Sequence, residues 1–156
     1  MDATFIENLG QRMMTMALDN LERDGYVAFA CLLLSKDQTE LVPIIPETVD
    51  ENSKTALAKM LRLIAPHSAA IILIYEMWTL QGEEALQILR DDTRIADSPA
   101  RREGVFVQVA SPRGDLVLTT SFSRDASDKP IRPAEVKAAW QSGACSGKFN
   151  GLFSQQ

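Results

Sequence analysis

The chain has 156 residues, a length that suits one domain able to bury a core without disulfides or metal. Hydrophobic residues make up 46% and charged residues 24%, a balance that excludes an intrinsically disordered chain. The net charge of −5 argues against nucleic acid as a partner, because binding to phosphates needs excess positive charge. Residues 1–52 hold ten acidic and three basic side chains, so the second half can still form a local basic patch.

Cysteine content and the absence of long apolar segments indicate a cytoplasmic protein. Cys31 and Cys145 are too few for a disulfide framework, which fits a reducing compartment. The first residues, Met1–Thr4, lack the basic and apolar regions of a signal peptide. The apolar run Ala69–Tyr75 is too short to span a membrane. We therefore expect a cytoplasmic localisation and no membrane partner.

The first third of the chain predicts one helix and two strands. Apolar residues at helical spacing follow a capping box at Thr4–Glu7 and continue to about Asp24, which predicts a first helix. Tyr26–Leu34 is apolar on both alternating faces, which predicts a central strand covered on two sides. Leu41–Ile45 predicts a second strand at a sheet edge, because Pro43 cannot donate a ladder hydrogen bond.

The remainder of the chain predicts further helices and three more strands. A second helix begins at a capping box, Thr48–Glu51, and ends at Pro66. A turn with proline and glycine joins two strands in a hairpin, and Pro133 suits the first position of a last helix that reaches about Gln141. The other expected elements are a third strand at Ala69–Leu80, a short helix at Glu83–Asp92, and hairpin strands at Val105–Ala110 and Leu116–Phe122.

Together these elements predict a single α+β domain over residues 1–141 and a flexible tail at residues 142–156. The expected sheet has about five strands, mixed or antiparallel, with helices packed on it in the order α-β-β-α-β-(α)-β-β-α. If all helices lie on one side, a second subunit must cover the other face, because a bare apolar sheet would aggregate. We therefore expect a homodimer. In the tail, Phe149, Leu152 and Phe153 either fold back over the sheet or dock on another chain.

This order of elements is similar to that of roadblock and profilin-like domains. A more local pattern joins EMW, residues 76–78, to SPARRE, residues 98–103. It resembles a pattern of uncharacterised small proteins of bacteria and their phages, in which a glutamate and a tryptophan end one strand and a proline-arginine-glutamate stretch opens the next. The resemblance implies no known activity. It implies that the two segments lie together.

The stretch IYEMWTL, Ile74–Leu80, places a carboxylate within an apolar strand. Strand alternation puts Glu76 on one face with aliphatic residues and an indole, where a carboxylate must be paired, protonated or near solvent. The expected partners are Arg101 and Arg102, because an arginine fork can hold a carboxylate at a partly buried position. Glu103 can take the second arginine.

Three interpretations of this group are open. An ion pair can pin the loop before the hairpin to the sheet. Alternatively, a polar pocket of Glu76, Trp78, Arg101, Arg102 and Glu103 can bind a ligand or a partner's side chain. Catalysis by Glu76 as an acid or base would need a second catalytic group, and no catalytic residue can be named.

No other motif predicts a metal or a cofactor. His67, the only histidine, follows Pro66 in a connection, where an exposed loop position is expected, and no nucleophile elbow is present. One histidine and a tail cysteine do not make a structural zinc site. Gly143–Phe149 lacks the glycine spacing and the Ser/Thr of a phosphate loop.

These observations lead us to expect a non-enzymatic binding or adaptor protein of a bacterium, phage or mobile element. Two alternatives stay open. One is a small hydrolase or transferase that uses the pocket around Glu76 and Arg101/Arg102, which an ordered anion in a cleft would favour. The other is a structural assembly subunit, which a large symmetric interface would favour.

Overall fold

The computed structural model of the chain describes residues 1–45, 50–80, 83, 90, 94, 97–99, 101–141 and 149–153. Within these residues the fold is α+β, with the two α-helices α1 and α2 and one antiparallel sheet of seven strands. None of the helices in the described ranges has the length and apolar content that a membrane crossing requires. The elements are α1 (Ala3–Asp24), β1 (Ala30–Ser35), β2 (Leu41–Ile44), α2 (Glu51–Ile64), β3 (Ser68–Thr79), β4 (Arg102–Ser111), β5 (Gly114–Arg124), β6 (Pro130–Ile131) and β7 (Lys137–Gln141).

The first helix begins earlier than its sequence pattern predicts. Asp2 is the N-cap of α1, and its carboxylate accepts a hydrogen bond from the backbone N–H of Phe5 at 2.8 Å. The capping box expected at Thr4–Glu7 is therefore wrong by about half a turn. The end is as expected, because Gly25 adopts the left-handed conformation with φ of 83° and donates to the carbonyl of Leu21.

All five strands expected from the sequence are present, and all neighbours pair antiparallel. The spatial order is β2-β1-β3-β4-β5-β6, and β7 also pairs with β5. β1 and β3 are internal strands, and β2 is an edge strand, as Pro43 predicts. The hairpin turn lies at Pro112 and Arg113, between the paired residues Ser111 and Gly114. The short helix expected at residues 83–92 lies mostly outside the described residues.

The last expected helix, Pro133 to Gln141, is wrong, because this part of the chain ends in the strand β7. β7 pairs with the first half of β5, from Asp115↔Gln141 to Thr119↔Lys137. β5 is eleven residues long, and its outer edge carries backbone groups that need partners. Pairing with that edge satisfies them, and this outweighs the helix propensity of the alanines in β7.

The two helices lie on opposite faces of the sheet. The α1 core includes Ile72, Ile74 and the valines of β4, whereas the α2 core includes Ile71 and Leu73. Gly10 allows α1 to pack closely, because a Cβ there would lie 2.7 Å from Cδ1 of Leu118. The expectation of a homodimer assumed that all helices lie on one side of the sheet. That condition is not met.

Part of the expected mobile tail belongs to the core. Phe149, Leu152 and Phe153 are 9%, 1% and 8% exposed, and they pack into the α2 core. Two buried side chains hold this segment to the sheet. Gln108 donates from Nε2 to the carbonyl of Phe149 at 2.9 Å, and Asp115 accepts from the N–H of Gly151 at 3.0 Å. Residues 149–153 therefore fold back over the sheet, and residues 142–148 and 154–156 lie outside the described ranges.

Candidate binding cavity at the end of the sheet

The candidate site lies where β3, β4 and β5 extend beyond the end of α1. Glu76 and Trp78 lie on the same face of β3 as Ile72 and Ile74. α1 covers that face in the earlier part of the strand. In the register of the sheet, Glu76 lies opposite Val105, and Trp78 lies opposite Glu103. Glu103 in turn lies opposite Phe122 of β5. The EMW and SPARRE segments are thus adjacent at their strand ends, and β5 adds a third side.

Glu76 is held by a backbone group and not by an arginine. Its Oε1 accepts a hydrogen bond from the N–H of Val27, which follows the turn at the end of α1. The expected ion pair with Arg101 or Arg102 is therefore wrong. The segment between α1 and β1 passes over Glu76. Val27 in this segment is only 7% exposed, so its backbone N–H would be buried without a partner if Glu76 did not accept from it.

The arginine that organises this end of the sheet is Arg124, at the end of β5. Its guanidinium binds Glu103 side-on, from Nε to Oε2 at 2.8 Å and from Nη2 to Oε1 at 3.1 Å. It also donates to the carbonyls of Gly25 and Asp128, each at 3.1 Å. The hydrogen bond to Glu103 raises the pKa of Arg124, and the carboxylate of Glu76 contributes in the same direction. The expected pairing of Glu103 with Arg101 or Arg102 is wrong.

Sequence reasoning missed Arg124, although a signal for it exists. Leu116, Leu118 and Phe122 alternate along β5 on the α1 face, and Arg124 continues that alternation past the covered part. Arg124 therefore follows an apolar row on β5, as Glu76 follows Ile72 and Ile74 on β3. Two such positions of opposite charge indicate strands whose carboxyl ends lie at the same end of the sheet.

Arg101 stacks on Trp78. Its guanidinium carbon lies 4.6 Å from the centre of the indole ring, and Nη1 donates weakly to the carbonyl of Ser98 at 3.5 Å. Arg102 lies opposite Thr79 in the register, so it points to the other face from Trp78. Among the described carboxylates, none forms an ion pair with either arginine. Both arginines are exposed.

These groups line an open cavity of about 1010 Å³ around the end of β4. Of the five residues expected to bind, four line it, and Glu76 lines an adjoining cavity of about 240 Å³ together with Trp78 and Glu103. The larger cavity carries three guanidinium groups against two carboxylates. Its described lining consists of Trp78, Pro99, Arg101, Arg102, Glu103, Ser121, Phe122, Ser123, Arg124 and Asp128.

Among the described residues, His67 and Cys31 lie apart from this cavity, and Ser121 in its wall is already hydrogen-bonded. Ser121 shares a hydrogen bond of 3.1 Å with the hydroxyl of Thr79. His67 precedes β3 and lies at the other end of that strand, roughly 35 Å from Trp78 by strand geometry. Burial raises the pKa of Cys31 to about 12, so this thiol remains protonated. Within the described ranges, no three His, Cys, Asp or Glu side chains converge as metal ligands.

Comparison of the chain with protein-family models, with curated proteins and with solved structures gives no match.

Proposed function

We propose that the chain is a non-enzymatic binding or adaptor protein, and that the cavity beside Trp78 receives a segment of a partner protein. The observation that carries this proposal is the stack of Arg101 on Trp78, which is 41% exposed at the cavity wall. Tryptophan and arginine are the side chains that most often dominate binding energy at protein interfaces. Stacking also fixes both side chains before a partner arrives, which lowers the entropy cost of binding.

The charge of the cavity favours an acidic partner segment. Arg124 already neutralises Glu103, whereas Arg101 and Arg102 carry guanidinium groups without a described carboxylate partner. A carboxylate of the partner can bind an arginine through two hydrogen bonds. The chain as a whole has a net charge of −5, so this basic surface stands out from its surroundings.

The two carboxylates of this group support binding rather than catalysis. Glu76 bonds to the backbone of Val27, and Glu103 bonds side-on to Arg124. A general base must be free to reach a substrate proton, and both of these carboxylates are already engaged in bonds within the protein. The resemblance of the EMW and SPARRE segments to small proteins of bacteria and phages supports a host of that kind.

The test compares partner capture by the parent and by a cavity variant, Trp78→Ala with Arg101→Ala, in an extract of the source cell. The matched control is Met16→Ala with Arg12→Ala, which removes one exposed apolar side chain and one exposed arginine from α1. Proteins captured by the parent are identified, purified and titrated against all three proteins. We expect the cavity variant to bind at least about tenfold more weakly, because hot-spot side chains contribute that much.

A partner that binds the cavity variant as tightly as the parent would overturn this proposal. So would an equal loss with the α1 control. Thermal unfolding of both variants verifies that the fold is intact, and little change is expected because all four side chains are exposed.

A further inference from the structure

Among the described residues, the outer side of β7 is an unpaired edge of the sheet. β7 pairs with β5 on its inner side, and no other described segment pairs with its outer side. Four of its five residues, Lys137 to Trp140, are exposed, so side chains do not cover the edge either. A strand edge of this kind presents a row of unpaired N–H and C=O groups, which is a template for another strand.

The opposite edge of the sheet, formed by β2, is less able to pair with another strand. β2 contains Pro43, which has no N–H to donate, at the position paired with Leu32. An incoming strand would lose a ladder hydrogen bond there. β7 has no proline, and its centre is Ala138 and Ala139, whose small side chains do not obstruct an approaching backbone. In the described part of the chain, proline thus blocks one edge, and the outer side of β7 has no such obstacle.

We propose that β7 pairs antiparallel with β7 of a second copy of this chain, which extends the sheet across a two-fold axis at Ala139. This register pairs all five residues of the strand. It places Ala139 opposite Ala139, Ala138 opposite Trp140, and Lys137 opposite Gln141.

The pairs of this register are chemically compatible. Lys137 faces an amide and not a second lysine, so no like charges lie opposite one another. Trp140 faces the small Ala138, which leaves room for the indole ring, and its Nε1 donates to Glu7 of the same chain at 3.0 Å. That bond fixes the ring on the α1 face. Self-complementarity of this kind is what a two-fold interface requires, and it favours a second copy over an unrelated strand.

The size of the edge sets the strength of the dimer. A strand of five residues buries less than the roughly 1,000 Å² that a stable interface needs, so we expect a weak dimer with a dissociation constant in the micromolar range. This inference is independent of the cavity, which lies at the far end of β5 from β7.

The two-fold axis permits a charge-exchange experiment, because residue 139 faces itself. Ala139→Lys and Ala139→Glu each place like charges opposite one another, whereas an equimolar mixture places lysine opposite glutamate. Sedimentation velocity over about 1–500 µM covers the expected range. We expect each single variant to weaken the dimer at least about threefold, and the mixture to recover association to the parent level or above.

The matched controls are Ala56→Lys and Ala56→Glu, at an exposed alanine of α2. They make the same changes in net charge, and we expect them to associate like the parent. A parent that is monomeric over the whole range would overturn the proposal. So would residue 139 variants that associate like the parent, or a mixture no tighter than its components. Circular dichroism of all four variants verifies that each is folded. The mixture is compared with its two components, which carry the same substitutions, so a difference in association reports the pairing of lysine with glutamate.

Discussion

Arg124 and Glu103 form a side-on ion pair across two neighbouring strands, and the same guanidinium reaches the carbonyl of Gly25 at the end of α1. One side chain therefore ties β5, β4 and α1 together. The side chains of Arg124 and Glu103 are 23% and 28% exposed, so the pair is partly shielded from water. Its contribution to stability should lie between those of surface pairs and buried pairs.

Arg124→Met should lower the free energy of unfolding by about 1–3 kcal/mol, because it leaves Glu103 and two carbonyls without their donor. The double variant Arg124→Met with Glu103→Gln should recover part of the loss, because it removes the unpaired charge. Urea unfolding monitored by fluorescence measures both. Arg132→Met is the control, since its ion pairs with Asp19 and Glu22 are exposed, and no measurable loss is expected. Equal losses at both arginines would show that Arg124 is no more than a surface charge.

Glu76→Gln should be tolerated better than Glu76→Leu. Glutamine keeps an oxygen that can accept from the N–H of Val27, whereas leucine leaves that N–H without its acceptor. The expected losses in unfolding free energy are below about 1 kcal/mol for glutamine and about 1–3 kcal/mol for leucine. Urea unfolding of the three proteins gives the order. If glutamine is as damaging as leucine, the negative charge near Arg124 matters more than the bond to Val27.

Leu152→Ala should destabilise the protein by about 2–5 kcal/mol, although this residue lies in a segment that the sequence predicts to be mobile. Leu152 is 1% exposed within the α2 core. The control is Leu63→Ala on α2, where the side chain is 76% exposed and the expected change is within about 0.5 kcal/mol. Thermal unfolding distinguishes the two. A parent-like midpoint for Leu152→Ala would mean that residues 149–153 are not docked in solution.

Asp115 should make the protein less stable as the pH rises from acid toward neutral. Burial raises the pKa of Asp115 above its ordinary value of 3.8, and hydrogen bonds from Gly151 and Gln108 only partly oppose this. The folded state therefore binds the proton more tightly than the unfolded state. Stability falls as the pH rises from the unfolded pKa through the folded one, and the loss persists above it.

Asp115→Asn should remove this pH dependence. Asparagine keeps an oxygen that can accept from Gln108 and Gly151, and it carries no charge to desolvate. We expect the variant to be at least as stable as the parent at neutral pH and to show a flatter profile in urea unfolding from about pH 4 to about pH 8. A variant that is equally destabilised at every pH would show that the fold needs the carboxylate itself.

The local signals of the sequence predicted the local structure well. Gly25 ends α1, Pro43 lies on an edge strand, and the turn before Gly114 closes the hairpin. Each of these features depends on one or two residues and their immediate neighbours. The adjacency of the EMW and SPARRE segments, which the resemblance implied, is also found, because Trp78 lies opposite Glu103.

Partners across the sheet could not be predicted, because they depend on register and on which segments pass overhead. Glu76 bonds to a residue 49 positions earlier, and Arg124 bonds to one 21 positions earlier. The alanines of β7 have helical propensity. They form a strand because the edge of β5 would otherwise lack a hydrogen-bonding partner. The glycines around Phe149 predict a mobile segment. The hydrogen bond that anchors it comes from Gln108, which is 41 positions earlier in the chain.

The docking of residues 149–153 has a consequence for the order of events on the ribosome. α1 is synthesised first and can cover its face of the hairpin as soon as β5 emerges. On the other face, Gln108 and Asp115 lack their bonds to the tail until Phe149 and Gly151 have been translated. A nascent chain that ends after β5 therefore exposes polar and apolar side chains that residues 149–153 cover in the complete fold. Such a chain is a substrate for chaperones that bind exposed strands, and its final folding step depends on contacts about 40 residues apart in sequence, which slows it.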